Sequence, residues 1–329
     1  MATAIDCSLV IPVFDEAEIL PILHERLTAV MARAGVSYEI LLVNDGSRDG
    51  SWEIMTELAS RDAHVCAVNL SRNHGHQLAI TAGIDHARGE AVVVMDADLQ
   101  DPPEVVLEML ERFRQGYDVV YGQRVRRHGE TVFKRATAAM FYRIVRALTS
   151  VDLPVDTGDF RLMSRRAVNA LRQLRERNRF VRGMVAWVGF RQTAVLYERA
   201  PRAAGETKYP LWKMVRFAND AIFSFSFAPL RIASAVGLIV SATSFMFAAF
   251  AVYAHLFTTR SLPGWTSLMV GVVFLGGVQL VCLGIIGEYL GRVYDEVKGR
   301  PLYLVQEVRR GEQLAGSRPE PVLPSVAAR

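Results

Sequence analysis

The chain has 329 residues, of which 51% are hydrophobic and only 22% are charged, and its formal net charge is +4. This length allows one large domain or two smaller ones. Cys7, Cys66 and Cys282 lie in apolar settings without metal-site spacing, which argues against a zinc centre or disulfide framework and indicates buried thiols in a reducing compartment.

Residues 7–122 alternate short β-branched runs with helical patterns. The runs read CSLVIPV, YEILLVND, VCAVNL, EAVVVMDAD and YDVVYG. Between the first two, apolar residues recur at helical spacing (Ile19, Leu20, Leu23, Leu27, Val30). This alternation predicts an α/β domain over residues 1–210, with a mostly parallel sheet and helices on both faces. Because the N-terminus is acidic and lacks an apolar stretch, we expect no signal peptide and a cytoplasmic domain.

Asp-rich segments follow two of these predicted strands. VNDGSRDGS follows the second strand and VMDADLQ ends the fourth. Because ligands bind at the carboxyl ends of such strands, we expect the site at this edge. The first strand ends in IPVFDEAE, without the glycine-rich turn of a dinucleotide-binding domain, which argues against that function.

Asp96 and Asp98 are separated by one residue at the end of a buried strand. Two carboxylates so close repel each other unless a cation neutralises them. Oxygen ligands suit Mg²⁺ or Mn²⁺, often together with substrate phosphates, and Gln100 offers a further oxygen. The alternative is a capping or turn role for the two aspartates.

Asp45 ends the second strand, where a carboxylate can accept hydrogen bonds from a base or a ribose, while Gly46 allows a tight turn. Pro12, Phe14 and Glu16 line the neighbouring strand end and suit a nucleobase. Together these residues predict a nucleoside diphosphate held through a metal ion. A helix N-cap in the same turn is compatible with that role.

Two segments lack Asp, Glu, Lys and Arg: Ile232–Phe257, with 26 residues, and Trp265–Ile286, with 22. Since about 20 apolar residues span a bilayer, residues 230–290 predict a transmembrane hairpin. The alternative is a pair of buried helices in a soluble core. Residues 199–231 hold six basic residues and residues 292–310 hold five, whereas the linker 258–264 holds one. The positive-inside rule therefore places both flanks and both termini in the cytoplasm.

The segments around the hairpin are less regular. Residues 211–229 predict an interfacial helix on the membrane, with a core helix as the alternative. Residues 291–310 read as a cytosolic juxtamembrane segment. Residues 311–329 are rich in proline and small residues, which predicts a flexible tail.

Five motifs follow one another along the chain: VIPVFDE, VNDGSRDGS, DADLQDPPE, GDFRLMSRRA and RFVRGMVAWVGF. This set resembles glycosyltransferase family 2, with its nucleotide-sugar-binding GT-A fold. GETKYP, the hairpin and IIGEYLGRVYDEVKGRPLYLV narrow the resemblance to bacterial polyprenyl-phosphate glycosyltransferases, related to dolichol-phosphate mannose synthases. The resemblance covers about residues 7–308. One departure is Asn44, where relatives often have a second aspartate.

The resemblance implies a role for each candidate residue. Asp96, Asp98 and Gln100 match the family's metal and diphosphate site, and Pro12, Phe14, Glu16 and Asp45 match its nucleotide pocket. Asp159 matches a carboxylate near the reacting centre that is proposed as a base in relatives. Because a lipid monophosphate is mostly a dianion at pH 7, orientation of sugar or acceptor is an alternative role. A turn carboxylate paired with Arg161 or Arg165 is another.

Basic residues are expected to bind the two phosphate groups. Arg124 aligns with the family's acceptor-phosphate arginine, and Lys134 and Arg135 join it as candidates, with Arg126 and Arg127 nearby. A lipid-headgroup contact or a solvated basic face is the alternative for these side chains. Arg202 and Lys208 match a loop that closes over the diphosphate. Trp187 is either a stacking platform for sugar or prenyl chain, or part of the core.

The sequence therefore predicts an enzyme of the bacterial inner membrane that requires Mg²⁺ or Mn²⁺. It would transfer a hexose from a UDP-linked sugar to undecaprenyl or another polyprenyl phosphate. A GDP-mannose-dependent mannose synthase and a non-catalytic nucleotide-binding scaffold are the alternatives. The expected partners are the nucleotide sugar, the polyprenyl phosphate, the bilayer and further copies of the chain, for instance in a tetramer. Nucleic acid is not expected.

Overall fold

The computed structural model describes residues 5–125, 157–177, 179–199, 228–257 and 264–311. These residues fall into two compact units. One unit holds the described residues up to 199 and those from 300 onward, and the other holds 228–257 and 264–299.

The first unit is built on one sheet. Its strands are β1 (Cys7–Val13), β2 (Tyr38–Asn44), β3 (Val65–Leu70), β4 (Ala91–Val94), β5 (Val119–Arg124), β6 (Thr157–Ser164), β7 (Gln192–Tyr197) and β8 (Val305–Arg310). Its helices are α1 (Leu20–Ala34), α2 (Ser51–Arg61), α3 (His76–His86), α4 (Val105–Arg114), α5 (Arg165–Gln173) and α6 (Val181–Trp187). The five strands that the sequence indicates are therefore all present.

The strand order is β7-β5-β6-β4-β1-β2-β3-β8. β1 pairs in parallel with β2 and β4, β2 pairs in parallel with β3, and β5 pairs in parallel with β7. β6 lies antiparallel between β4 and β5, and β8 lies antiparallel to β3. The prediction of a mostly parallel sheet is confirmed, with β6 and β8 as antiparallel members.

Helices cover both faces of this sheet, because side chains alternate along each strand. Leu9 and Ile11 of β1 share one buried cluster with Leu23 and Leu27 of α1 and with side chains of α2 and α4. Val10, which points to the other face, meets α3 so closely that a Cβ on Gly83 would lie 2.2 Å from its Cγ1. The helical spacing seen in the sequence therefore marks the buried stripe of α1.

The segment after residue 300 returns to the sheet, which the sequence did not indicate. β8 runs along β3 in a register that pairs Cys66 with Arg310 and Val68 with Val308. Arg310 Nη1 lies 3.3 Å from Oε2 of Glu39. Residues 305–310, predicted only as a juxtamembrane segment, thus form an edge strand.

The second unit contains two long helices, α7 (Ala228–Phe257) and α8 (Trp265–Val297). They contact each other, and the Cys282 thiol lies 3.6 Å from the carbonyl oxygen of Ala233. Within the described residues, Val270–Val297 is the one helical segment long and apolar enough to cross a membrane, and the apolar segment Ile232–Phe247 is shorter. Both helices expose large apolar side chains, such as Phe245 and Leu280.

Candidate active site

The strand order changes direction between β1 and β4, and the two strands separate at their carboxyl ends. Their ladder ends at Val10 and Val94, followed by one hydrogen bond from the Met95 N–H to the Val10 carbonyl. Pro12 lies two residues beyond Val10 on the same side of β1, where its missing N–H breaks no ladder bond. Open α/β sheets bind ligands at such a switch point.

The loops after β1 and β2 hold each other. The Asp15 N–H donates to Ser47 Oγ at 3.1 Å, and the Arg48 N–H donates to Asp15 Oδ1 at 2.7 Å. Asp15 has a positive φ of 54°, a conformation that is uncommon outside glycine. Phe14, next to it, is 45% exposed, which leaves its ring accessible to the nucleobase that the sequence predicts here.

Asp45 is buried and holds the loop after β3. Its Oδ1 accepts from the His74 N–H at 2.7 Å and its Oδ2 from the Gly75 N–H at 2.9 Å. Burial raises the pKa of Asp45, and these two bonds offset only part of that rise. Its role toward a base or ribose stays a prediction, and its visible role is to fix the start of α3. Asn44, the departure from the family pattern, donates to Asn69 at 2.8 Å.

Asp96 and Asp98 follow β4 in a tight turn. Leu99 has a positive φ of 55° and is buried, so it fixes this turn from inside. The Gln100 N–H donates to Asp98 Oδ1 at 3.2 Å. The sequence motif therefore places both carboxylates, half-buried, at the point where β1 and β4 separate.

The Asp96 carboxylate fits a cation. Its Oδ1 is buried and finds no hydrogen-bond partner in the described part of the chain, and His76 Nε2 lies 3.5 Å from it. Burial, and the charges of Asp159, Asp101 and Asp98, raise its pKa to about 6, although His76 opposes the shift. Among the described residues no group of three or more acidic, His or Cys side chains forms a complete metal site. Two carboxylates completed by substrate phosphates are the usual arrangement for Mg²⁺.

Asp159, at the start of β6, is held by cationic side chains from two helices. Arg182 of α6 donates from Nε to Oδ1 at 2.8 Å and from Nη2 to Oδ2 at 3.1 Å. His76 and Gln77 of α3 both lie 3.2 Å from Oδ2. Burial alone would raise the pKa of Asp159, but Arg182, His76 and Arg161 outweigh it and hold the pKa well below its usual range. A carboxylate with such a low pKa is a poor proton acceptor, which favours the orienting role.

The pairing of Asp159 that the sequence left open is partly observed. Arg161 donates to the carbonyl oxygens of Gly158 and Asp159, and burial lowers its pKa to about 10. Arg165 instead binds the carbonyl oxygens of Ala87 and Gly89. Arg161 is therefore a neighbour of Asp159, and Arg165 is not.

Sequence reasoning missed His76, Gln77 and Arg182. His76 lies between Asp96 and Asp159, and it begins the helix that follows β3. Burial lowers its pKa, but the hydrogen bond with Asp159 and the charge of Asp96 outweigh burial and raise it. The signal was present, since the loop after β3 ends at the same sheet edge as the Asp-rich loops. Arg182 lies within the motif RFVRGMVAWVGF, in which only Trp187 was given a candidate role.

Arg124 is the last residue of β5 and lies beside the turn that follows β4. Its Nη2 is 3.4 Å from Asp101 Oδ1 in that turn. The positions of Lys134, Arg135, Arg202 and Lys208 lie outside the described residues, as do Arg126 and Arg127. Their phosphate-binding roles stay predictions. Trp187, at the end of α6, is 60% exposed, which argues against the core alternative.

The chain matches one family model over half of its length and individual relatives over most of it. Residues 8–172 match the family described as Glycosyl transferase family 2. The chain is 51% identical over 307 residues to the uncharacterized glycosyltransferase YkcC of Bacillus subtilis. The aligned stretch covers 93% of this chain and 95% of that protein. It is 40% identical over 304 residues to the SfII prophage-derived bactoprenol glucosyl transferase of Shigella flexneri, covering 92% of this chain and 98% of that protein. It is 39% identical over 303 residues to the prophage bactoprenol glucosyl transferase homolog of Escherichia coli, covering 92% and 99%. The mixed sheet is the GT-A type that the motifs imply, and the chain belongs to glycosyltransferase family 2.

Proposed function

We propose that this chain is a membrane-anchored, metal-dependent transferase that moves a hexose from a UDP-linked sugar to undecaprenyl phosphate and releases UDP. The similarity to bactoprenol glucosyl transferases over more than nine tenths of the chain supports the polyprenyl acceptor and makes glucose the first sugar to test. The single observation that carries the proposal is Asp96 Oδ1, which is buried within a group of carboxylates and accepts no hydrogen bond from any described residue.

Asp96, Asp98 and Gln100 are the residues that would hold Mg²⁺ or Mn²⁺. A bound divalent cation would offset the charge that develops on the departing diphosphate. Phe14 would stack on the base, with Pro12, Glu16 and Asp45 around the nucleoside. Arg202 and Lys208 would contact the diphosphate from the predicted closing loop.

The acceptor needs no strong base. The second pKa of a phosphate monoester is about 6, so at pH 7 the lipid phosphate is mostly a dianion and already nucleophilic. Its oxygen would form a bond to C1 of the sugar, while the bond from C1 to the diphosphate breaks and its electron pair stays with the leaving group. No proton has to be removed, which agrees with the low pKa of Asp159. Asp159 would orient the sugar or acceptor, and Arg124, with Lys134 and Arg135, would bind the lipid phosphate.

The apolar helices would anchor the enzyme in the membrane that contains its acceptor. Val270–Val297 is long enough to cross a bilayer, and residues 232–257 are expected to form the second span. In that topology the linker 258–264 is external and both termini are cytoplasmic.

A cysteine at Ser261 should react with an impermeant thiol reagent in intact cells, whereas a cysteine at Ser317 should not. Labelling at Ser317 alone would reverse the topology.

The decisive experiment offers the purified protein undecaprenyl phosphate and a panel of nucleotide sugars, with mass spectrometry of the extracted lipid. We expect a hexosyl phospholipid from a UDP-hexose, formed with Mn²⁺ or Mg²⁺ and abolished by EDTA. Product from GDP-mannose alone would replace the donor assignment. Absence of lipid product with every donor would refute the transferase and favour a nucleotide-binding scaffold.

A further inference from the structure

Asp101, Tyr197 and Arg124 form a closed group of hydrogen bonds beside the candidate metal site. The Tyr197 hydroxyl donates to Asp101 Oδ1 at 2.5 Å and accepts from Arg124 Nε at 3.1 Å. Arg124 Nη2 is 3.4 Å from the same Asp101 oxygen. The Asp101 side chain is 0% exposed and that of Arg124 is 15% exposed, so the group is largely removed from water. Sequence reasoning gave no role to Asp101 or Tyr197.

The sheet builds this group. Arg124 and Tyr197 are partners in the parallel register of β5 and β7, which sets their side chains next to each other. A Cβ on Gly158 would lie 2.8 Å from Arg124 Nη2, so the guanidinium lies directly against a backbone without a side chain. A Cβ on Gly122 would lie 2.8 Å from the Tyr197 ring in the same way. Two glycines therefore leave the space that the arginine and the tyrosine occupy.

The charges of the group leave it net positive. Arg124 and Arg199, whose Nε is 3.9 Å from Asp101 Oδ1, oppose the single Asp101 carboxylate. Burial lowers the pKa of Arg124, but Tyr197 and Asp101 outweigh burial and raise it, so the guanidinium stays charged. The two hydrogen bonds use its Nε and Nη2, and within the described residues Nη1 donates to no acceptor. That nitrogen remains for an anion.

We propose that Asp101 and Tyr197 are a positioning pair that fixes the guanidinium of Arg124 for the phosphate monoester of the lipid acceptor. The inference rests on the proposed function, and it assigns acceptor recognition to the last aspartate of the DADLQD turn, whose first two aspartates serve the donor. A free arginine side chain loses about 2 kcal/mol of rotamer freedom when it is ordered. A guanidinium that is already fixed loses less on binding phosphate, which strengthens binding without a new contact to the ligand.

The test compares Tyr197→Phe, Arg124→Ala and the double variant with a matched control, Tyr303→Phe. Tyr303 also donates to a carboxylate, Asp85 Oδ2 at 2.8 Å, which also binds an arginine, Arg175 at 2.7 Å. The control therefore loses the same kind of hydrogen bond from a group without an assigned ligand. We expect Tyr197→Phe to raise the KM for undecaprenyl phosphate about tenfold, within the range for a bond to a charged group. Its kcat and the UDP affinity measured by calorimetry should stay within about twofold, and Tyr303→Phe should leave all three unchanged.

The double variant separates positioning from direct binding. If Tyr197 acts through Arg124, then Tyr197→Phe adds nothing in an Arg124→Ala background, because the group that it positions is gone. Additive effects, or an equal KM increase in Tyr303→Phe, would overturn the inference and leave the proposed function intact. Calorimetry with farnesyl phosphate gives the same cycle without turnover. A wild type that makes no lipid product but keeps this coupling in binding would refute the proposed function and not the inference.

Discussion

Acidic side chains at the two edges of the sheet differ in their hydrogen-bond partners. At the amino edge, Glu39 Oε1 accepts from the Ser8 hydroxyl at 2.6 Å and from the Arg88 N–H at 2.7 Å. Asp118, just before β5, accepts from the Ser164 hydroxyl at 2.9 Å and from Arg166 Nε at 3.1 Å. Each of these carboxylates has both a hydroxyl and a cationic partner, which for Glu39 is Arg310 Nη1 at 3.3 Å from Oε2.

At the carboxyl edge, two carboxylates of one turn have a buried oxygen that accepts no hydrogen bond from the residues that the structure describes, Asp96 Oδ1 and Asp101 Oδ2. Asp85, on the last turn of α3, also has one such oxygen, but Arg172 lies 3.9 Å from it. His76 Nε2 lies 3.5 Å from Asp96 Oδ1, and Asp101 accepts hydrogen bonds through its other oxygen, but burial and the charges of Asp159, Asp101 and Asp98 still raise the pKa of Asp96.

The carboxyl edge therefore holds a carboxylate with a buried oxygen, that of Asp96, in an environment that is unfavourable for its charge. A buried charge without a partner destabilises the folded state, and the effect is relieved by a bound cation or by protonation. Glu39 and Asp118, at the amino edge, hold neighbouring segments of the sheet together. We propose that Asp96 and Asp98, at the carboxyl edge, are kept for a ligand, at a cost in stability that is typical of functional sites.

The largest expected effect of a substitution at these edges is a loss of activity from a change at the carboxyl edge. Asp98→Asn should lower hexose transfer by more than about a hundredfold with an intact fold, because an amide is an uncharged and poorer metal ligand. Asp118→Asn, at the amino edge, should leave kcat within about threefold. The measurement is transfer of labelled sugar into organic-extractable lipid, with circular dichroism as the check on folding. A fully active Asp98→Asn protein, or wild-type activity in EDTA, would contradict the metal site.

A second effect concerns the arginine that holds Asp159. Arg182→Ala removes two charge-assisted hydrogen bonds, so the pKa of Asp159 should rise and transfer should fall about ten- to a hundredfold. Because Asp159 would then protonate at higher pH, the variant should lose activity at a higher pH than the wild type, whose own loss below about pH 6 follows the lipid phosphate. Arg166→Ala, which removes the corresponding partner of Asp118, is the control and should show neither change. Equal pH profiles for Arg182→Ala and wild type would argue against the orienting role of Asp159.

A smaller effect is expected on stability at the amino edge. Burial would raise the pKa of Asp118, but Arg166 and Ser164 outweigh it and lower the pKa. The stabilisation is therefore present above the unfolded-state pKa of about 4 and is lost as pH falls through the folded-state pKa. Asp118→Asn should lower Tm by roughly 2–4 °C at pH 7, the shift that 1 kcal/mol produces in a domain of this size, and by less at pH 4. A Tm difference that is larger at pH 4 than at pH 7 would contradict the assignment.

Much of this fold follows from local sequence patterns. β1 and β3 have the bounds of their β-branched runs, and the rule that ligands bind at strand ends located the Asp-rich turns. The edge strand β8 was missed because its pairing with β3 joins segments more than 230 residues apart, which no local pattern reveals. His76 and Arg182 were missed for a similar reason. Each looks like an ordinary helical residue until α3 and α6 bring both to Asp159.

The most direct test of the central claim is the Tm of Asp96→Asn measured without metal and then with Mn²⁺ and UDP. Because the pKa of Asp96 is raised to about 6, ionising this group lowers the stability of the folded wild type as pH rises from about 4 through that value. At pH 7.5 without metal, the variant should therefore melt roughly 2–4 °C above wild type, whereas the two should melt together below about pH 4. Mn²⁺ with UDP at a hundred times its Kd should stabilise the wild type by about 2.7 kcal/mol and leave the variant unchanged. A variant that is less stable than wild type without metal, or equal stabilisation of both proteins, would contradict the claim that this carboxylate is kept for a metal-bound diphosphate.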